Sequence, residues 1–156
     1  MLFLGIDPGL RRTGLGVVSY NGKKLKLEGY KLITPSVNLD LPKRLKELID
    51  GVCGFISPYP LTSAAVENVF HAVNAKSTLL LGQTRGAIMA ALILSGIEVF
   101  EYSALQIKQT VTGYGKAEKE QVKKMTEVQL GISLENLPMD ISDALACAIC
   151  HAVSVR

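Results

Sequence analysis

Short apolar runs alternate with longer amphipathic stretches along this chain, and the punctuation between them predicts its elements. Leu2 to Asp7 (LFLGID), Gly14 to Tyr20 (GLGVVSY) and about Leu25 to Thr34 are short, largely apolar runs bounded by turn-forming residues, the pattern of buried strands. Asn21-Gly22, inside YNGKK, predicts a hairpin between the second and third. Pro42 predicts the start of a helix reaching about Ile56, because Leu41, Leu45, Leu48, Ile49 and Val52 recur on one helical face before PYP stops it. SAAVEN (Ser63 to Asn68) predicts a fourth strand, about Ala75 to Ser95 a long helix, and IEVFEY (Ile97 to Tyr102) a fifth strand. Helices are expected over about Ser103 to Thr112, Lys119 to Leu130 and Asp140 to Val153. The order βββαβαβααα predicts an α/β protein with a mixed sheet, antiparallel at first and parallel later, and helices on its faces.

Two of the predicted strands end on a carboxylate, Asp7 and Glu67. An acid beside a buried strand is costly to desolvate unless a hydrogen bond, a cation or water meets it. Asp7 is therefore open to two readings, a turn residue or a metal ligand. In sheets of this kind, sites form beyond the carboxyl ends of the strands, and parallel neighbours would bring both acids to one edge.

A third element adds two acids. In LPMDISDALACAIC, Asp140 and Asp143 are three apart, so a helix sets them on one face. Acids in a first turn, after Pro138, also complement the helix dipole without any further role. The residues that follow, Ala144 to Ile149, are almost all apolar, so the helix is expected to be buried with its acids against a neighbouring element. Four converging carboxylates would repel one another unless they shared a cation, and oxygen-only ligands select Mg²⁺ or Mn²⁺ over zinc. Two such ions, about 4 Å apart, suit attack of water on a phosphodiester.

Composition narrows the classes. With 156 residues the chain is expected to be one domain, spanning 1–156, large enough to bury a core without disulfides. Cys53, Cys147 and Cys150 are odd in number, and the CxxC in ALACAICHAV has no second pair to complete a zinc site, so all three read as reduced, buried residues. Asp7 interrupts the first apolar run too early for a signal peptide, and GAIMAALILSGI (Gly86 to Ile97) is too short to span a bilayer, so no membrane association and a cytoplasmic location are expected. The net charge is only +3, but 17 Lys and Arg face 14 Asp and Glu, and metal binding by four of those acids would leave a strongly basic remainder. Lys108, Lys116, Lys119, Lys123 and Lys124 lie in and around TGYGKAEK with Glu118 and Glu120 among them, which suits either a solvated helix face or phosphate binding.

Three further features stay open at this stage. Phe70 follows Glu67 in ENVFHA and suits either a loop anchor or a contact to a base; His71 reads as an ordinary polar loop residue and His151 as a residue of a helix C-terminus rather than a ligand. Between Leu79 and Leu94 the long helix is apolar around most of its circumference, and Gly82 and Gly86 would permit close approach. That suits a central core helix or an interface. Arg85 would then be interfacial or a backbone contact.

The segments LGIDPGLRRTGLGVV, VENVFHAVNAKSTLLLGQTRGA, FEYSALQIKQTVTGYGKAEKEQV and DISDALACAICH, in that order, resemble the RuvC family of bacterial Holliday-junction endonucleases over nearly the whole chain. The resemblance implies an RNase H-like fold, a five-stranded mixed sheet with helices on both faces, and metal-dependent paired nicking of four-way DNA junctions in recombination and repair. It implies Asp7, Glu67, Asp140 and Asp143 as the metal-binding acids for two Mg²⁺ ions, with Mn²⁺ substituting. Some relatives carry histidine at the last of these positions. Lys108 and Lys119 match lysines near the scissile phosphate, and Phe70 an aromatic set against an unstacked base. Further DNA contacts are expected from Arg11, Lys76, Lys116 and Lys123, a homodimer through the helix around Leu79–Leu94, and contacts with the branch-migration proteins RuvA and RuvB. Some relatives continue in a basic tail, whereas this sequence stops at Arg156.

Three other readings fit less of the sequence. Nucleotide-binding ATPases of the actin and Hsp70 type share the opening strand and glycine hairpin but need a second phosphate loop and a second half. The YqgF group would act on RNA, and a junction-binding protein without catalysis would not need all four acids.

Overall fold

The computed structural model describes residues 1–68 and 74–155. Its elements follow the predicted order: β1 (Leu2–Asp7), β2 (Thr13–Tyr20), β3 (Leu25–Ile33), α1 (Leu41–Ile56), β4 (Ser63–Asn68), α2 (Ala75–Leu94), β5 (Val99–Ser103), α3 (Ala104–Thr112), α4 (Lys119–Leu130) and α5 (Met139–Ser154). The strands form one sheet in the order β3-β2-β1-β4-β5. β1 pairs antiparallel with β2 and β2 with β3, while β1 with β4 and β4 with β5 are parallel. This is the mixed sheet the sequence predicts.

Several boundaries differ from the expectation for local reasons. α1 begins at Leu41 rather than Pro42, because the Asp40 side chain accepts a hydrogen bond from the Lys43 amide and caps the helix. β5 begins at Val99 rather than Ile97: Gly96 adopts φ +77 after α2, and Ile97 N–H still donates to Leu92 O at 3.0 Å. The β2–β3 hairpin closes through four residues, Asn21 to Lys24, with Tyr20 paired to Leu25. Only Gly22 among them has positive φ, and Asn21 Oδ1 accepts from the amides of Lys23 and Lys24 at 3.0 and 2.8 Å.

Side-chain alternation along the central strands decides what each face of the sheet carries. On β1, Leu4 and Ile6 join Leu15 and Val17 of β2, Ala64 and Val66 of β4, and the inward residues of α1 and α2. The odd positions face α3, α4 and α5: Phe3 and Ala65 pack there with Leu145 and Ile149. Continuing that alternation by two residues puts Asp7 on the α5 side of β1 and Glu67 on the α5 side of β4.

Close approach of α5 depends on glycine. Cβ atoms added at Gly5, Gly14 or Gly16 would lie 2.1 Å from Ala144 O, 2.0 Å from Asp140 O and 2.6 Å from Leu145 Cδ2 respectively. Gly5 pairs with Gly16, and Gly14 with Asp7, so the smooth patch ends directly beside the first acid.

Two cysteines follow the expectation, Cys147 and Cys150 being buried in α5; Cys53 is only half-buried, and all three are free thiols. His151 stands in the last turn of α5, as the sequence predicts. The ring is fully buried, with Nε2 2.7 Å from Ser63 Oγ, Nδ1 3.1 Å from Tyr102 Oη, and Phe3 and Phe100 against its faces and edge. Burial drives its pKa down to about 4, so the neutral ring is the resident form.

The uncharged stretch read as too short for a bilayer begins inside a longer helix and runs three residues past its end. α2 has 20 residues, and an 18-residue stretch of it has a mean hydropathy of 1.4, long and apolar enough by length and composition to cross a membrane. It also carries Arg85 near its middle, ion-paired with Glu101 of β5, and packs Ile88 and Leu92 against the sheet. Its other side is open: Leu79 is 65% exposed, Leu94 88%, and among the described residues nothing beyond the helix's own neighbouring backbone lies within 4 Å of a Cβ at Gly82 or Gly86.

Candidate active site

Parallel register sets the first two acids side by side. Ile6 is paired with Val66, so Asp7 and Glu67, the next residues on the two strands, leave the sheet at the same edge. The first turn of α5 brings Asp140 and Asp143 over that edge, with Asp140 O resting against Gly14 opposite Asp7.

The electrostatics record how close the four are. Asp7 is pushed from 3.8 up to about 8, by burial first and then by the charges of Glu67, Asp143 and Asp140, against a smaller opposing effect of Lys119. Glu67 is raised by burial and by Asp143, and is drawn down by Lys119 and Lys108. A dry carboxylate facing three others is held only by protonation or by a cation.

Two basic residues already meet the acids of α5. Lys119 Nζ donates to Asp143 Oδ2 at 2.9 Å, a bond that raises the pKa of the lysine and keeps it charged. Arg12, from the β1–β2 connection, places its guanidinium 3.0 Å from Asp140 Oδ2. As the side chains stand, no three acidic, histidine or cysteine groups among the described residues close tightly enough to hold an ion. The donors are hard oxygens and suit a hard divalent cation in chemistry. Arg12 and Lys119 each engage one oxygen, Oδ2, of these acids, so a cation bound by Asp140 and Asp143 would compete with them for the carboxylates' charge.

Beside them lies a cavity of about 130 Å³ lined by Glu67, Lys108, Lys119 and Asp143, with Ile107 and Val122 forming part of its apolar wall. Two carboxylates and two ammonium groups therefore share one recess, which suits a phosphate that must approach both a cation site and positive charge. The helices bearing Lys108 and Lys119 are set by the start of α3, a capping box between Ser103 and Gln106, and by the turn around Gly113, where φ is +78.

The remaining sequence candidates are spread around this recess. Arg11 and Lys76 are exposed, as is Lys116 on the α3–α4 connection. Lys123 lines a separate depression with Lys124, Glu120, Glu127 and Glu135. Phe70 and His71 lie outside the described residues.

Some contributors escape the sequence reading. Arg12 stands next to the candidate Arg11, but only the fold aims it at Asp140. Arg85 makes two contacts within the fold: its Nε donates to Glu67 O at 3.2 Å while the guanidinium pairs with Glu101, tying α2 to the strand end that carries the second acid. Arg44 of α1 donates to Leu10 O at 3.2 Å and steadies the connection after Asp7. Nothing in the local pattern around Arg44 signals that contact.

Comparison with known proteins gives a consistent result. Residues 3–151 match the family model described as crossover junction endodeoxyribonuclease RuvC. The chain is 52% identical over 153 residues to the crossover junction endodeoxyribonuclease RuvC of Ralstonia pickettii, covering 97% of this chain and 83% of that protein. It superposes with a TM-score of 0.94, at 31% identity, on T. thermophilus RuvC in complex with a Holliday junction substrate, covering 100% of this chain and 95% of the other. The yeast mitochondrial Holliday junction resolvase Ydc2 shares the fold, with a TM-score of 0.67 at 14% identity over 96% of this chain and 78% of its own.

Proposed function

The chain belongs to the RuvC family of crossover junction endodeoxyribonucleases, metal-dependent nucleases, and on that premise we propose that it resolves four-way DNA junctions by paired, symmetrical nicks. The observation that carries this reading is the meeting of Asp7, Glu67, Asp140 and Asp143 from three elements at one sheet edge, beside a recess shared with Lys108 and Lys119.

Each group has a distinct task in this reading. The four acids would hold two Mg²⁺ ions, with Mn²⁺ able to substitute. When bound, such ions make a water more acidic and stabilise charge on the leaving oxygen. Lys119, kept protonated by Asp143, and Lys108 place positive charge beside a phosphate in the recess, where the transition state is richest in negative charge. Burial excludes bulk water from Asp7, so its carboxylate gains more from a bound cation than an exposed one would.

Substrate and assembly extend the same reading. T. thermophilus RuvC is solved with a Holliday junction substrate, and the 31% identity across the whole chain supports that substrate here. Arg11, Lys76, Lys116 and Lys123 would supply backbone contacts, with strongly salt-dependent binding, and Phe70 a contact to an unstacked base. The exposed apolar side of α2 would pair with a second copy, giving a homodimer whose two-fold axis matches that of the junction. RuvA and RuvB are the expected partners, and the cytoplasm the expected location.

The test is a denaturing gel of a strand-labelled synthetic junction incubated with Mg²⁺, Mn²⁺ or EDTA, beside linear duplex and RNA. Paired nicks at symmetrical positions, dependent on metal and confined to the junction, are expected. Binding without nicks would sink the catalytic assignment, and cleavage restricted to RNA would replace the substrate.

A further inference from the structure

The connection from Asp7 to β2 is built more tightly than a turn requires. Thr13 Oγ1 donates to Gly9 O at 2.6 Å and accepts from Gly9 N–H at 3.2 Å, and Arg44 fixes Leu10 O from α1. A Cβ at Gly9 would lie 2.5 Å from Arg12 O, so the loop folds back on itself at a position only glycine fits. Leu10 is buried beneath it. These contacts fix the main chain on both sides of Arg12 and leave its guanidinium on Asp140.

Stability does not explain this construction. The Arg12 side chain is 49% exposed and that of Asp140 26%, and ion pairs so open to water contribute little to folding. Asp140 also stands in the first turn of α5, where the helix dipole already favours a negative charge. The pair matters instead for whatever else needs Asp140. The guanidinium occupies a carboxylate oxygen and adds a positive charge to a cluster whose affinity for a cation rests on its negative charge.

We propose that Arg12 is a resident competitor for the divalent cation at Asp140 and sets the metal concentration at which the site fills. The inference rests on the reading of the four acids as a metal site. In the free protein Arg12 and Lys119 neutralise the two acids of α5, while Asp7 and Glu67 have no basic side chain in ion-pair contact among the described residues. Filling the site displaces the guanidinium, which is half in water and leaves without disturbing the anchored loop. Arg12 is thereby a positioning and affinity-setting residue, and touches no reacting atom.

Mn²⁺ binding to the DNA-free protein, followed by the paramagnetic resonance signal of the free ion, tests this without reference to cleavage. Arg12→Ala should bind Mn²⁺ roughly two- to five-fold more tightly than the parent at low ionic strength, the range expected for loss of a half-exposed ion pair. Arg12→Lys, which keeps a positive charge but on a compact, more strongly hydrated ammonium, should fall between them. The gain should shrink as salt screens the pair. Unchanged or weaker binding by a folded Arg12→Ala protein, when Asp7→Asn has lost binding, overturns the role of Arg12 alone. Equal binding by Asp7→Asn and the parent overturns the metal-site reading, and this inference with it.

Discussion

Gly14 lies across the sheet from Asp7, and a Cβ there would stand 2.0 Å from the main-chain oxygen of Asp140. One hydrogen in place of a side chain therefore decides how closely the first turn of α5 can approach the end of β1. Gly14→Ala would push Asp140, and Asp143 with it, away from Asp7 and Glu67, because the atoms it meets are backbone. Overpacking of this kind costs about 1–3 kcal/mol. A protein that stays folded but loses most of its Mn²⁺ affinity and cleavage is expected, measured by chemical denaturation and metal titration. Retention of both would show that α5 can shift without disturbing the site.

Asp7 should make metal-free stability depend on pH in an unusual direction. Its folded pKa, about 8, lies above the unfolded value of 3.8, so between those values the folded state holds the extra proton and stability falls as pH rises. Asp7→Asn removes that slope. The unfolding free energy of the variant should gain on the parent by about 1.4 kcal/mol per pH unit between roughly pH 4 and pH 8. His151 works in the opposite sense. Its folded pKa, about 4, lies below 6.5, so its contribution is complete above pH 6.5 and is lost as pH falls toward 4. The metal-free parent should thus lose stability most visibly above pH 6.5, where Asp7 is no longer offset. Urea titrations in EDTA across this range measure both effects, and a parent that grows more stable from pH 6.5 to 8 would contradict them.

The elements and the four acids were legible in the sequence because each rests on a local signal: apolar runs, a proline, a carboxylate at the end of a strand. Their mutual placement was legible only in outline. Whether Asp7 and Glu67 share a face depends on the pairing of Ile6 with Val66, which no local pattern encodes. Gly5, Gly14 and Gly16 look in sequence like residues that weaken strands, and their purpose emerges only when α5 lies across them. The partners of Arg12 and Arg85 stay hidden in the sequence for the same reason, since they come from distant segments. His151 sits where a helix C-terminus would favour a cation, yet the aromatic shell around it keeps it neutral and fully buried. Phe70 and His71 belong to residues outside those described.

Arg85 joins the long helix to the second acid, and its removal should separate positioning from folding. The side chain is 16% exposed, donates to Glu67 O and pairs with Glu101. Arg85→Ala leaves both acceptors without that partner, at a cost of about 1–3 kcal/mol. If the contact positions Glu67, Mn²⁺ affinity should fall several-fold more than in Glu101→Gln, which spares the bond to Glu67 O. Arg85→Lys should restore charge but not both contacts, and so recover stability more than metal affinity. Equal Mn²⁺ affinities in all three variants would reduce Arg85 to a structural role.

The outer side of α2 poses a problem that a second copy would solve. Leu79, Ile93 and Leu94 are all more than half exposed, and Gly82 and Gly86 meet no other element among the described residues, although the helix is apolar enough for a bilayer. Arg85 at mid-helix, paired with Glu101, would be costly in hydrocarbon. Small residues flanked by exposed leucines instead offer a surface on which another helix can pack closely. Leu79→Asp should yield a folded monomer by sedimentation, because a buried carboxylate opposes association while an exposed one costs the monomer little. Each monomer keeps its four acids, so Mn²⁺ binding should persist, whereas paired nicking should collapse to slow, uncoupled single nicks. A Leu79→Asp protein that sediments like the parent would move the interface off this face, and a parent that is itself monomeric would remove the dimer from the proposed mechanism.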